Sequence, residues 1–370
     1  MNRTVDKDKT LMVDGPASVT VLSGRVEVFG YLVKGIRKIV IREGNRLPFA
    51  VRETATFDLA LGAKADVHEV SGHTIPLSWG KAYETIVQFE KKPAVILVVG
   101  GIDSGKSSFC TYLINRFVNE KYKVAILDED LGQSEIGPPG TVAYAFVAKP
   151  VTDLFTLKPE SIIFIGATSP GDATDKTVEA VVSLKNEIIS KAAADFVVVN
   201  TDGWAVGEEA IQFKSRLAFA LAPDVVFCLQ NRDEVPSLCA TFGDALAGLR
   251  QERADSPVDV MERSRESRRN RRELGFANYF ENARVKVFPL NYITVEGKKI
   301  YTLIWRGAAN NLLVGLYDSQ KRFLGTGVLR SVDYKRRALK ILTIVSEKPA
   351  SVVFGKVKLD ANLREIPPEN

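Results

Sequence analysis

Val95 to Phe117 constrains this chain more than any other stretch. It reads V-I-L-V-V-G-G-I-D-S-G-K-S-S-F-C-T-Y-L-I-N-R-F. Val95–Val99 is a short, β-branched, apolar run, the composition of a strand buried on both faces of a parallel sheet. Phe109, Leu113, Ile114 and Phe117 follow at helical spacing. Between strand and helix lies G-x-x-x-x-G-K-S, with Gly100, Gly105, Lys106 and Ser107 in the required places. Strand, glycine loop and helix in that order make a P-loop.

Each residue type there has a chemical reason. Gly100 and Gly105 take backbone angles that side chains forbid, so the loop can wrap a phosphate. The N–H groups of Gly101, Ile102, Asp103 and Ser104, and of Ser108 in the first helical turn, belong to the stretch that addresses the anion. Lys106 is expected on the β- and γ-phosphates, and the Ser107 hydroxyl on Mg²⁺.

The rest of the composition narrows the class. With 370 residues the chain is too long for one ordinary core, so two or three domains are expected. It is 45% hydrophobic and 26% charged, as in globular proteins. No apolar stretch is long enough to span a bilayer, and the charged N-terminus lacks a signal-peptide core. A cytoplasmic protein without membrane association is therefore expected. Cys110, Cys228 and Cys239 are scattered, so no disulfide framework is expected. His68 and His73 are the only histidines, which argues against a histidine-based zinc or triad site. The net charge of +5 is compatible with an anionic partner.

Three parts are expected. Residues 1–90 are β-rich, with Val19, Val21, Val26, Val28, Ile39 and Ile41 in alternating runs. This module is either a structural cap or a wall of the nucleotide site. Lys81 to Lys92 reads as a polar passage into the next part. Residues 91–295 alternate strands (Val95–Val99, Val124–Asp128, Ser161–Gly166, Asp195–Asn200, Val225–Leu229, Val285–Pro289) with helices (Ser107–Asn119, Thr174–Ala193, Glu208–Leu221). Such alternation implies an α/β fold, a parallel sheet covered on both faces, with ligands at the carboxyl ends of its strands. Residues 296–370 read as β-rich again, with strands at Tyr301–Trp305, Leu312–Tyr317, Phe323–Ser331, Ala338–Thr343 and Ser351–Lys358. The expected fold is thus a P-loop NTPase domain flanked by two β-rich domains.

Further chemistry sits at the strand ends. A-I-L-D-E-D-L-G-Q places Asp128 and Asp130 where a P-loop enzyme needs carboxylates, one for the metal shell and one to orient or deprotonate a hydroxyl. Which acid takes which role stays open. Gln133 suits a metal water or a phosphate. Thr168 and Ser169 offer hydroxyls before the Pro170–Gly171 turn. Trp204 follows a glycine at a strand end. There it either packs under the next helix or serves as a stacking face for a base, worth ~1–3 kcal/mol. Six arginines fall between Arg263 and Arg272. Arg265, Arg268, Arg269 and Arg272 make one helical stripe, either a solvated face or a lid over phosphates.

Together these segments resemble the polynucleotide 5′-hydroxyl kinases of the Clp1/Grc3 family. The resemblance rests on G-G-I-D-S-G-K-S, D-E-D-L-G-Q with P-P-G-T, T-S-P-G, N-T-D-G-W and E-R-S-R-E-S-R-R, and on similar flanking β segments. It implies transfer of the ATP γ-phosphate to the 5′-hydroxyl of RNA or DNA. It makes Lys106 and Ser107 the phosphate and metal residues, Asp130 the general base, and Asp128 a metal-shell candidate. Thr168 becomes a clasp on the ATP phosphates. Trp204 becomes the stacking platform for the first base, and Gln133 is assigned to the nucleic acid with it. In the lid it selects Arg263 and Arg268, leaving the other arginines for solvent or backbone phosphates. The compact lid and flanks imply a stand-alone archaeal-type enzyme with no obligate protein partner. Two other classes compete: an ATP-loaded RNA-processing scaffold with little turnover, and a regulatory GTPase. Against the latter, Asn231-Arg232-Asp233 is only a near miss to a guanine motif.

Overall fold

Seven consecutive buried residues, Ala94–Gly100, form the strand that leads into the P-loop. Phe196–Asn200 pairs with it on one side and Val225–Gln230 on the other, both parallel. Val124–Asp128 and Gln251–Asp255 extend this parallel core outward. Ala94–Gly100, Val124–Asp128 and Phe196–Asn200 are buried along their whole length. A strand covered on both faces must be apolar at every position, so these runs were readable as strands. Gln251–Asp255 was not, because Q-E-R-A-D is a half-exposed edge strand without an apolar signal. Thr141–Val147 was also missed behind the P-P-G-T turn that precedes it. The structure, a computed structural model, describes residues 1–230, 238–290, 294–296 and 309–367.

Six helices are described. They are α1 (Leu77–Val87), α2 (Lys106–Asn119), α3 (Thr174–Ser190), α4 (Glu208–Leu221), α5 (Leu238–Ala245) and α6 (Arg265–Tyr279). None is long and apolar enough to cross a membrane. Helix α1 corrects the expectation of a polar passage after Lys81. It buries Trp79, Ala82, Tyr83 and Ile86, spaced i, i+3, i+4 and i+7 on one face. Trp79 packs on Phe109 and Tyr112 of α2, with ring centroids 5.2 and 5.5 Å apart.

The N-terminal sheet has seven strands, centred on the antiparallel pair Ala17–Val28 and Arg46–Leu61. It docks on the P-loop helix by polar contacts. Asn115 donates to the carbonyls of Phe29 and Val151 and accepts from Val151 N–H, all at 2.8–2.9 Å. Asn119 donates to the Gly30 carbonyl at 2.9 Å. Arg42 grips Asp153 with two bonds of 2.6 and 2.8 Å.

The third sheet also has seven strands, mostly antiparallel. Its members Leu312–Tyr317, Phe323–Asp333, Ala338–Thr343 and Ser351–Leu359 fall where the sequence put strands. Tyr301–Trp305 lies outside the described residues, as does Asn231-Arg232-Asp233. One assignment is corrected. Arg284–Pro289 does not join the parallel core but pairs antiparallel with Ala338–Thr343. Its alternating R-V-K-V-F-P pattern, with Val285 and Val287 more than half exposed, is that of an antiparallel edge.

Two compact units share the chain. The first comprises residues 1–128, 144–160 and 181–264, and the second 129–143, 161–180 and 265–370. Contrary to the reading of the cysteines, Cys228 and Cys239 are joined by a disulfide. The end of strand Val225–Gln230 and the first turn of α5 bring their Cα atoms to 5.6 Å, within the usual reach of such a bond.

In the second unit, α6 is held by an aromatic core. Phe276 is fully buried with Phe164, Leu313 and Val328. Phe276→Ala is therefore expected to destabilise this unit by about 3–5 kcal/mol, read from the unfolding midpoint in a urea titration.

Candidate active site

The P-loop cradle is made by backbone geometry that only glycine permits. Gly105 has φ +90°, and a Cβ there would lie 2.6 Å from Pro257 Cδ. A Cβ on Gly100 would lie 2.7 Å from Ser104 Oγ and 2.8 Å from the Leu229 carbonyl oxygen. Helix α2 begins at Lys106, so its unsatisfied N–H groups open toward the loop. Lys106 is 7% exposed, and its Nζ donates to the Gly101 carbonyl at 2.6 Å. The Ser104 hydroxyl is buried with no partner. A glycine-lined cradle, a buried lysine and an unsatisfied hydroxyl are what a polyphosphate would satisfy.

Strand register brings two oxygen-bearing side chains together. Asn200 and Asp128 are direct neighbours across two parallel strands, so their side chains leave the sheet on the same face. Asn200 Nδ2 donates to Asp128 Oδ1 at 3.0 Å and to Ser107 Oγ at 3.4 Å. The hydroxyl and the carboxylate are thus tied through one amide. Both are hard oxygen donors of the kind Mg²⁺ takes alongside substrate phosphates. Asn200 was quoted in the sequence motif but given no role. Only the register reveals one.

The next residues present the tryptophan. Asp202 is 4% exposed and Lys214 of α4 only 1%. Asp202 Oδ2 accepts from Lys214 Nζ, and its Oδ1 accepts the Trp204 backbone N–H. Trp204 is half-buried and stacks on Phe213, with centroids 5.8 Å apart and planes 25° apart. It is therefore neither fully sunk under the helix nor free of it. Gly203 lies directly against the P-loop, since a Cβ on it would meet Ile102 Cγ1 at 2.8 Å.

Arg263 belongs to the same unit. It precedes α6 by two residues and is not part of the helix. It pairs with Asp103 of the P-loop at 3.2 Å.

The remaining sequence candidates fall in the second unit, where Asp130, Gln133, Thr168 and Arg268 gather. Asp130 Oδ1 accepts the N–H groups of Gly132 and Gln133 at 3.0 and 2.8 Å, a turn that acidic side chains favour. The Gln133 amide donates to the carbonyls of Gly132 and Arg268, at 3.1 and 3.0 Å. This ties the acidic loop to the first turns of α6. Thr168 lies beside the same loop, its carbonyl 2.9 Å from where a Gly132 Cβ would be. Arg268 is half-buried.

Arg265 is exposed, as expected of a solvated arginine, but Arg269, Arg271 and Arg272 are paired with acids of the protein instead. Arg272 binds Glu365 with two bonds of 2.6 and 2.8 Å, Arg271 binds Glu135 at 2.7 Å, and Arg269 binds Glu273 at 2.9 Å. Burial works against the charge on Arg272. Hydrogen bonding and attraction from Glu365, with Asp130 and Glu273 adding to it, raise its pKa overall. The helical stripe thus serves partly to anchor α6.

A parallel sheet, a glycine cradle at its carboxyl edge and an amide-linked hydroxyl and carboxylate define a P-loop nucleotide-binding protein. Residues 100–282 match the family described as mRNA cleavage and polyadenylation factor CLP1 P-loop. This segment is that of the Clp1 P-loop family. Among curated proteins it is similar to the polyribonucleotide 5′-hydroxyl-kinase of Methanocaldococcus jannaschii, at 26% identity over 76% of this chain and 91% of the relative. The enzyme of that name from Pyrococcus abyssi is also 26% identical, over 75% and 90%. The polyribonucleotide 5′-hydroxyl-kinase Clp1 of Danio rerio is 27% identical, over 75% of this chain and 65% of the relative. Among solved structures, Clp1p in its complex with Pcf11p shares the fold, with TM-score 0.76, 14% identity and 97% of each chain covered.

The buried Asp202–Lys214 pair gives a direct test of how the tryptophan is held. Lys214→Met removes the buried ammonium that pairs with Asp202 and is expected to cost about 3–5 kcal/mol of stability by urea unfolding. Adding Asp202→Asn is expected to recover much of that loss.

Proposed function

We propose that the protein is an ATP-dependent polynucleotide 5′-hydroxyl kinase, which transfers the γ-phosphoryl group of ATP to the 5′-hydroxyl of RNA or DNA ends. The observation that carries this reading is the hydrogen-bonded chain Ser107–Asn200–Asp128, its amide and carboxylate buried, beside Lys106 at the glycine cradle. It supplies both a phosphate grip and a place for a metal. The names of the relatives, matched over about nine-tenths of the archaeal proteins' length, support a kinase over a scaffold with little turnover.

Transfer is in-line. The acceptor oxygen forms a bond to the γ-phosphorus as the bond to the β–γ bridging oxygen breaks, and ADP leaves. Lys106 offsets charge on the β- and γ-phosphates, and the Gly100–Ser108 amides and Thr168 orient them. Ser107 and Asp128 would hold Mg²⁺, which would neutralise phosphate charge. Asp130 takes the proton of the attacking 5′-hydroxyl, with Gln133 beside it on the nucleic-acid side. Arg263 and Arg268 stabilise the charge that develops on the transferred group. Trp204 stacks on the terminal base of the acceptor, so phosphoryl transfer acts on an end whose first base is exposed. The proposal needs no second protein chain.

Lys106→Ala and Asp130→Ala are each expected to reduce labelling of 5′-hydroxyl oligonucleotides by labelled ATP at least about a thousandfold. Circular dichroism should show both still folded. Retained labelling in either variant overturns the kinase reading. Running matched RNA and DNA oligomers, single- and double-stranded, in the same assay identifies the preferred acceptor.

A further inference from the structure

Asp103 is an acid placed in a loop that binds anions, and by charge alone it disfavours a triphosphate. Its backbone is also unusual, with φ +55°. Residues with a Cβ enter that left-handed region at a cost of roughly 1–2 kcal/mol. In this conformation the carboxylate engages Arg263 twice. Oδ2 accepts the Arg263 backbone N–H at 2.9 Å, and Oδ1 accepts Nη1–H at 3.2 Å. The Nε–H of the same guanidinium goes to the Gly44 carbonyl at 3.1 Å.

The peptide before Arg263 is fastened as well. Pro257 lies against Gly105, and Val258 N–H donates to the Thr74 carbonyl at 3.2 Å. Asp259 accepts from Arg46 at 2.8 Å and contacts His68 Nε2 at 2.7 Å. The stretch 257–263 is therefore laid along the P-loop and the N-terminal sheet, and its last fastening is the P-loop carboxylate. The Asp103 and Arg263 side chains are 13% and 26% exposed, so the pair is partly shielded from solvent screening.

We propose that Asp103 is a positioning residue for Arg263. Its carboxylate holds the guanidinium by one edge and so fixes the direction of the fork, and that carboxylate does not touch the phosphate itself. A guanidinium has five donors in a fixed fork, enough to serve a carboxylate and a phosphoryl oxygen together. The pairing also neutralises the acid, so the cradle stays attractive to an anion. It explains why Arg263 acts from outside the helical stripe: its direction is set by the P-loop and not by α6. This inference rests on the kinase reading above, in which Arg263 offsets transition-state charge.

The test is a double-mutant cycle joined to a measurement that needs no turnover. Asp103→Ala is expected to lower kcat about 10- to 100-fold, the scale of a misplaced catalytic group. Affinity for a non-hydrolysable ATP analogue, measured by calorimetry, should stay within about threefold, because the cradle is unchanged. The double variant Asp103→Ala/Arg263→Ala should be no slower than Arg263→Ala alone, since each removes the same interaction. Asp103→Asn, which tolerates the left-handed backbone and keeps an acceptor for the Arg263 N–H, should fall between wild type and Asp103→Ala. In nucleotide-free protein, tryptic cleavage after Arg263, followed by mass spectrometry, should speed up about tenfold in Asp103→Ala as the segment opens locally.

Multiplying losses in the double variant, or unchanged cleavage after Arg263, would overturn the proposal. Full activity of Arg263→Ala would overturn it too, while leaving the kinase reading standing on Lys106 and Asp130. If instead Lys106→Ala keeps full activity, the kinase reading falls, and the cleavage experiment alone decides whether Asp103 holds Arg263.

Discussion

The pairing of Phe196–Asn200 between Ala94–Gly100 and Val124–Asp128 is the constraint on which the candidate chemistry depends. Parallel pairing aligns the carboxyl ends of the strands, and total burial fixes their register, because a slip of one residue would turn Asp128 and Asn200 to the opposite face. Interiors of this kind are close-packed and do not deform gradually. The distance between the Ser107 hydroxyl and the Asp128 carboxylate is therefore set by the core of the protein and not by a mobile loop. That is the kind of precision phosphoryl transfer requires, since its catalysis is mostly placement and electrostatics.

Much of this was readable from local sequence, and what was not has physical reasons. The P-loop is contiguous, so spacing alone exposes it. Val124–Asp128 and Phe196–Asn200 announce themselves as short, β-branched, fully buried runs. The role of Asn200 was hidden because it depends on which strand lies beside which. Helix α1 was obscured by its place after a β-rich region, although Trp79, Ala82, Tyr83 and Ile86 carry a helical period. Arg284–Pro289 was assigned to the wrong sheet because an apolar-alternating strand of six residues fits a crossover pattern as readily as a hairpin. The disulfide joins cysteines 11 apart, a pairing created by strand-to-helix geometry with no motif to announce it.

The arginine-rich segment shows the limit of periodicity. Helical spacing picked out Arg265, Arg268, Arg269 and Arg272 as one face. In the structure Arg269 and Arg272 are largely committed to Glu273 and Glu365, within the second unit. The partly buried, bidentate Arg272–Glu365 pair orients the helix more than it stabilises the fold. The family resemblance selected Arg263, which lies ahead of the helix and takes its orientation from Asp103. A pattern of charge thus marks the segment, while the pairing of its members follows from contacts distant in the chain.

The two units are interleaved, with the polypeptide passing from one to the other at 128/129, 143/144, 160/161, 180/181 and 264/265. Most of the second unit lies beyond residue 264, yet it also owns the loop bearing Asp130 and the segment bearing Thr168. During synthesis from the N-terminus, those two pieces leave the ribosome long before the sheet that houses them exists. The nucleotide cradle can therefore form on the nascent chain well ahead of the acidic loop's final placement. A ribosome that stalls just past residue 264 would carry all of the first unit, glycine cradle included, without most of the unit that owns the acidic loop.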